Sequence, residues 1–214
     1  MKRRHYDDGF SGAMTTVTIS PKQVSELRAR TGAGMMDCKR ALEEAVGDMD
    51  KAAEILRKKG IAKADKRAGR SAAQGLVVSY IHHNAQVGVL LEVNCETDFV
   101  ARTDAFQQLA RDIALHIASA DPIAVNPEDL PAELIERERR IAEEQVAAEG
   151  KPDNVRPKIV EGKIKKFIAE RTLLEQPYVK DDAKTVGQLV KEVSGKVGEA
   201  VQVRRFARFK IGEA

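Results

Sequence analysis

The chain of 214 residues is long enough for one domain of ordinary size and a smaller companion. Its 36 lysines and arginines against 33 aspartates and glutamates leave a net charge of +3, too close to neutral to argue for a nucleic-acid partner. The composition is 43% hydrophobic and 32% charged, with 4% aromatic residues and no Trp, which suits a soluble, helix-rich protein with an aliphatic core. No run reaches the ~18 apolar residues of a membrane span, and there is no signal-peptide segment. Cys38 and Cys95 lie far apart without metal-type spacing, which points to reduced thiols and a cytoplasmic protein.

Residues 1–13 are polar and lack helical period, so they read as an extension or expression remnant ahead of Met14. The stretch ISPKQV then carries a complete helix start. Ser20 is the N-cap, Pro21 fits the first helical position, Gln23 is the return arm of a capping box, and Ile19 and Val24 form the staple. Gly32 is the expected stop. A second helix has Cys38, Ala41, Leu42, Ala45 and Val46 on one stripe. A third is expected to cap at Asp48, bury Met49, Ala52, Ala53 and Leu56, and stop at Gly60. Residues 14–60 are thus read as a three-helix domain. The link GAGMM leaves Met35 and Met36 with two roles open: lids on a small core, or an adaptable contact surface.

Residues 57–70 hold seven basic residues and one Asp. Without aromatics to stack on bases, a solvated linker over residues 61–74 is the preferred reading, and no direct nucleic-acid contact is expected. Residues 75–214 form the second expected domain. GLVVSYIHH and VGVLLEVNC read as an antiparallel hairpin with His82 and His83 at its tip. Adjacent histidines in a strand point to opposite faces, so no metal site is expected. Thr97 is the expected N-cap of a short turn, TDFVA. Thr103 caps a longer helix with Phe106, Leu109, Ile113 and Ile117 inward, and His116 reads as a surface or boundary residue. Asp98 suits a helix start. Phe99 has no such local role, because Phe106 already anchors the helix. An exposed Phe must pack locally or fill a partner's pocket, a burial worth roughly 1.5–3 kcal/mol.

Residues 131–172 read as a projecting helical hairpin, with Leu134, Ile141 and Val146 on one stripe and Val160, Ile164, Phe167 and Ile168 on the other. Thr185 and Gln188 form a capping box for a further helix. The last run is expected to be the third strand, with Val201, Val203, Ala207, Phe209 and Ile211 on one face and Arg205 the exception. The fold class is therefore α+β: helices, a small antiparallel sheet of about three strands, and the protruding pair. No Gly-rich phosphate loop, Ser/His/Asp order or paired carboxylate site is present, so neither catalytic residues nor a cofactor are expected.

Two stretches carry a family resemblance. LRARTGAGMMDCKRAL (residues 27–42) and EVNCETDFVAR (residues 92–102) resemble the signatures of bacterial elongation factor Ts, the guanine-nucleotide exchange factor of elongation factor Tu. The likeness extends over residues 15–213. It implies a ubiquitin-associated-like three-helix bundle that docks on the GTPase domain of Tu through Arg28, Met35 and Met36. It further implies that Asp98 and Phe99 intrude on Tu, held in place by Thr97 and Val100, and disturb Mg²⁺ and phosphate-loop contacts so that GDP leaves. His83, at the hairpin tip, is the matching third contact, and the helical pair corresponds to a coiled coil. Only one hairpin-plus-helix unit is present and the chain ends at IGEA. Both match the short class, which implies a homodimer formed by sheet pairing and a 2:2 complex with GDP-bound or nucleotide-free Tu. Without the resemblance, the front helices and basic bridge also allow a ubiquitin-associated-like adaptor or RNA-binding module, which would give Asp98 and Phe99 no task.

Overall fold

The computed structural model describes residues 18–150 and 152–213, so the extension read at residues 1–13 lies outside the described residues. The chain divides between Leu56 and Arg57 into two compact units.

In the first unit, α1 (Pro21–Thr31) starts on the expected capping box, with the Gln23 backbone N–H donating to Ser20 Oγ at 3.2 Å and the Ser20 N–H donating to Gln23 Oε1 at 2.9 Å. Gly32 ends it in the left-handed conformation at φ 69°. Helix α2 (Met35–Glu44) buries Cys38, Ala41 and Leu42 against Val24, Leu27, Ala52 and Leu56. Val46 does not join that stripe. The helix has ended, Val46 sits at φ 53°, and its side chain is exposed. Helix α3 (Met49–Asp65) has its first N–H groups satisfied by Asp48, as expected.

That helix does not stop at Gly60. From Arg57 onward it belongs to the second unit, where it meets α8 (Val186–Val197) at a glycine crossing, and a Cβ on Gly195 would stand 2.8 Å from the Gly60 carbonyl oxygen. Gly60 serves close approach rather than termination. Residues 61–65, read as linker, are accordingly helical.

The main sheet of the second unit has the order β1–β2–β5, all antiparallel: β1 (Gln74–Ile81), β2 (Val87–Cys95) and β5 (Val201–Lys210). Val89, Leu91, Val93 and Cys95 of β2 point inward at every second position. They pack with α5 (Asp104–Ala120), whose Phe106, Leu109, Ile113 and Ile117 form the expected face, and with Val186 and Val190 of α8.

In β5 the alternation breaks. Val93 pairs with Val203 but Glu92 pairs with Arg205, so Arg204 is an extra, bulged residue. The bulge reverses the faces. Val201 and Val203 point inward, and beyond it so do Phe206 and Arg208, not Ala207 and Phe209. Phe209 is 68% exposed and Ile211 is also exposed, contrary to the alternation read from sequence. The largely buried Arg208 guanidinium pairs with Asp121 at 2.9 Å and Glu213 at 2.7 Å. Val77, Ile81, Leu90 and Phe209 make the opposite face of the sheet apolar and open.

Helices α6 (Ala132–Ala148) and α7 (Arg156–Arg171) pack as an antiparallel pair on Ala142, Val146, Val160 and Ile164, flanked by Ile135 and Ile168. Ile141 is exposed, because the buried stripe runs through the neighbouring Ala142. A two-stranded hairpin that the sequence did not suggest, β3 (Pro177–Tyr178) with β4 (Asp181–Thr185), leads into α8 and its expected Thr185–Gln188 capping box.

His116 departs from expectation: it is fully buried beneath this region. The Val179 backbone N–H donates to Nδ1 at 3.2 Å, so Nε2 carries the proton and donates to Gln176 Oε1 at 2.9 Å. The Gln176 amide in turn donates to the carbonyls of Ala120 and Glu170. Burial lowers the His116 pKa below its ordinary 6.5, opposed by the Gln176 hydrogen bond.

Candidate functional site

Strand β2 leaves the sheet at Cys95, and α4 (Asp98–Ala101) begins three residues later. A four-residue helix cannot hold itself together, because nucleation fixes several residues for little hydrogen-bond return. Here it is fastened at both ends. Thr97 caps it, its hydroxyl oxygen accepting from the Val100 N–H at 3.4 Å. Val100 and Ala101 are buried in the sheet–helix core. Thr103 closes the far side, its hydroxyl donating to the Val100 carbonyl at 2.8 Å while its oxygen caps α5.

The approach to α4 is pinned by two glutamates. The Glu199 carboxylate accepts from both the Thr97 backbone N–H, at 3.0 Å, and the Thr97 hydroxyl, at 2.7 Å. Reciprocally, Glu96 Oε1 accepts from the Ala200 N–H at 2.7 Å. These crossed bonds continue the β2–β5 ladder past its last pair, Cys95 with Val201. The Ser194 hydroxyl fixes the same turn by donating to the Glu199 carbonyl at 2.6 Å. Beneath it, the buried Cys95 thiol donates to the Thr97 carbonyl at 3.1 Å. Its pKa is raised, by burial first and then by the nearby Glu199 carboxylate, so it stays a thiol.

What this frame presents is Asp98 and Phe99. Phe99 is 77% exposed, while Phe106, one helix later, is 0% exposed and fills the core position. Asp98 is half-exposed and paired with Arg102 at 2.8 Å across one turn. Among the described residues, the aromatic joins no buried cluster. Val100, by contrast, holds the turn from inside.

The remaining expected site residues lie elsewhere. His83 is exposed at the opposite end of β2, roughly 30 Å of strand away. It and His82 lie beyond the strand end, in the turn, so their rings do not diverge to opposite faces; their centroids are 4.2 Å apart. Among the described residues no cluster of His, Cys, Asp and Glu suits a metal ion. Arg28, Met35 and Met36 belong to the first unit. Met36 is 63% exposed and Met35 nearly half, on the first turn of α2, so neither is a lid on the Cys38–Leu42 core. The turn before them is built by the Gly32 cap and by Thr31, whose hydroxyl donates to the Leu27 carbonyl and accepts from the Ala33 N–H. The clasp residues Glu96 and Glu199 escaped the sequence reading, since their partners lie over a hundred positions away.

No helix among the described residues is long and apolar enough to cross a membrane. The profile of the family described as Elongation factor TS matches residues 13–213. The chain is 57% identical over 195 residues to elongation factor Ts of Carboxydothermus hydrogenoformans, covering 91% of this chain and 90% of that protein. It is 53% identical to the factor of Desulfosudis oleivorans, covering 92% of this chain and 99% of the relative. It is also 53% identical to that of Thermosipho melanesiensis, covering 91% and 100%. With the strand–turn–helix motif intact and the likeness running the length of the chain, this protein belongs to the elongation factor Ts family.

Proposed function

We propose that this chain is a guanine-nucleotide exchange factor that binds elongation factor Tu, in its GDP-bound and nucleotide-free states, and speeds GDP release. Phe99 enters an apolar pocket of the GTPase domain, and Asp98 acts beside it to disturb the Mg²⁺ and phosphate-loop contacts of the nucleotide. The observation that carries this reading is an exposed phenyl ring on a turn anchored through Thr97, Val100 and Thr103. A ring that already faces water costs nothing to withdraw from its own core, and a braced turn loses little entropy on docking.

Exchange needs no bond-making group in this chain. A partner that prefers nucleotide-free Tu to GDP-bound Tu weakens GDP by the same factor, as linkage requires. The nucleotide and its Mg²⁺ belong to Tu, and the chain acts in the cytoplasm as a regulatory binder. Arg28, Met35 and Met36 give the domain of residues 14–60, a ubiquitin-associated-like bundle in this reading, its docking surface on Tu. His83 makes a further contact. The α6–α7 pair is a coiled coil. The exposed sheet face carrying Val77, Ile81, Leu90 and Phe209 supports a homodimer, and hence a 2:2 assembly.

The test is stopped-flow release of a fluorescent GDP from elongation factor Tu. The parent chain is expected to accelerate release, and Asp98→Ala with Phe99→Ala to abolish the acceleration while keeping native circular dichroism. Undiminished acceleration by the double variant rules the mechanism out.

A further inference from the structure

The reciprocal glutamate clasp has a direction. Glu96 grips the backbone of the α8–β5 turn, whereas Glu199 grips Thr97, the residue that caps α4 and immediately precedes Asp98 and Phe99. Both oxygens of the Glu199 carboxylate are engaged by that single residue. One holds its backbone N–H, which fixes where the chain turns out of the sheet. The other holds its hydroxyl hydrogen, which leaves the hydroxyl lone pairs aimed at the Val100 N–H. The Thr97 hydroxyl therefore donates to Glu199 and accepts from Val100 at once, and its rotamer is fixed from both sides. Glu199 is itself held, by the Ser194 hydroxyl on its carbonyl and by the left-handed Gly198 cap at φ 81° that ends α8. A chain of contacts thus runs from α8 through Glu199 and Thr97 to the first turn of α4, and touches no part of the Phe99 ring.

We propose that Glu199 is a positioning residue for partner recognition: it sets the angle at which α4 presents Asp98 and Phe99, through Thr97 and by reach rather than by charge. This rests on the reading of Asp98 and Phe99 as the inserted pair. A side chain displaced by about 1 Å can cost up to ~100-fold in a geometry-dependent step.

The experiment measures GDP release from elongation factor Tu with full-length chains carrying Glu199→Ala, Glu199→Asp, Glu199→Gln, Phe99→Ala and Phe99→Ala with Glu199→Ala. Glu199→Asp keeps the charge but is one methylene short. Glu199→Gln keeps the reach without the charge: its amide oxygen can accept from the Thr97 N–H while its NH2 donates to the Thr97 hydroxyl oxygen, whose other lone pair still serves the Val100 N–H. Glu199→Ala and Glu199→Asp should each lower the stimulated rate by about tenfold or more, and Glu199→Gln should recover most of it. Adding Glu199→Ala to Phe99→Ala should cost nothing further, since Asp98 acts only beside an inserted ring and Phe99→Ala removes that ring. The proposal falls if Glu199→Asp works like the parent, if Glu199→Gln is as poor as Glu199→Ala, or if the double variant drops multiplicatively below Phe99→Ala. If Glu199→Ala does not fold, the Asp and Gln variants decide alone. The arms separate the two ideas: an inert Phe99→Ala defeats the insertion reading itself, whereas a damaging Phe99→Ala with a harmless Glu199→Asp defeats only the positioning role.

Discussion

Gly60 of α3 and Gly195 of α8 meet backbone to backbone, and a methyl group on Gly195 would lie 2.8 Å from the Gly60 carbonyl oxygen and 2.9 Å from its Cα. Neither atom belongs to a flexible side chain that could step aside. In Gly195→Ala the gain in helix propensity, about 1 kcal/mol, opposes an overpacking cost of about 1–3 kcal/mol. The clash should win, lowering stability by up to about 2 kcal/mol in urea unfolding. Gly162→Ala on α7 is the control. Its Cβ meets nothing within 4 Å, so propensity acts alone and the variant should be as stable as the parent or more so.

Phe99→Ala separates function from folding. The ring is 77% exposed, so its removal should change unfolding free energy by no more than ~0.5 kcal/mol. Phe106→Ala, at a fully buried position, should cost about 3–5 kcal/mol. Stimulated GDP release is expected to be lost in the first variant without loss of fold. A Phe99→Ala protein as destabilised as Phe106→Ala would show that the ring packs at home.

His116 gives the second unit a dependence on pH. Its neutral ring accepts from the Val179 N–H, and protonation would set two donors against each other. Burial depresses the folded-state pKa below 6.5, so the unfolded chain binds the proton first as pH falls. The contribution to stability is full above 6.5 and is lost as pH drops from there through the depressed folded value. Urea midpoints between pH 7.5 and 5 should fall accordingly, and His116→Asn should flatten that part of the profile. An unchanged slope in the variant would assign the loss to other groups.

The outer sheet face should pair two chains. Leu90 lies beside Ala207 and Phe209 beside Gly88, an apolar surface on which a carboxylate would be desolvated without a partner. Sedimentation should give twice the chain mass of 23.5 kDa for the parent, and the mass of one chain for Phe209→Glu. A parent sedimenting as one chain at micromolar concentration would count against pairing.

What was legible in the sequence was local. Ser20 with Gln23, Thr97, Thr103 and Thr185 with Gln188 cap their helices as read, because cap and capped N–H lie within three residues. The period-two run of β2 and the three- and four-residue spacing of Phe106, Leu109, Ile113 and Ile117 located the core for the same reason. Features made by residues distant in sequence stayed hidden. Gly60 reads as a stop until Gly195 arrives against it. His116 reads as peripheral until Gln176, sixty positions on, satisfies its ring. Presentation of Asp98 and Phe99 to a partner is what the family resemblance implies, since the residues alone leave Phe99 either packed locally or in a partner's pocket; the Glu199 clasp that holds their turn has no neighbourhood signature at all.

The single unpaired residue at Arg204 reaches further than its size suggests. Were β5 to run through Arg204 without the bulge, strict alternation would swing Phe209 and Ile211 into the interior and eject Phe206 with its cationic neighbour Arg208. One bulged amino acid thus decides which half of the strand's hydrophobic inventory is spent on folding and which is kept for company.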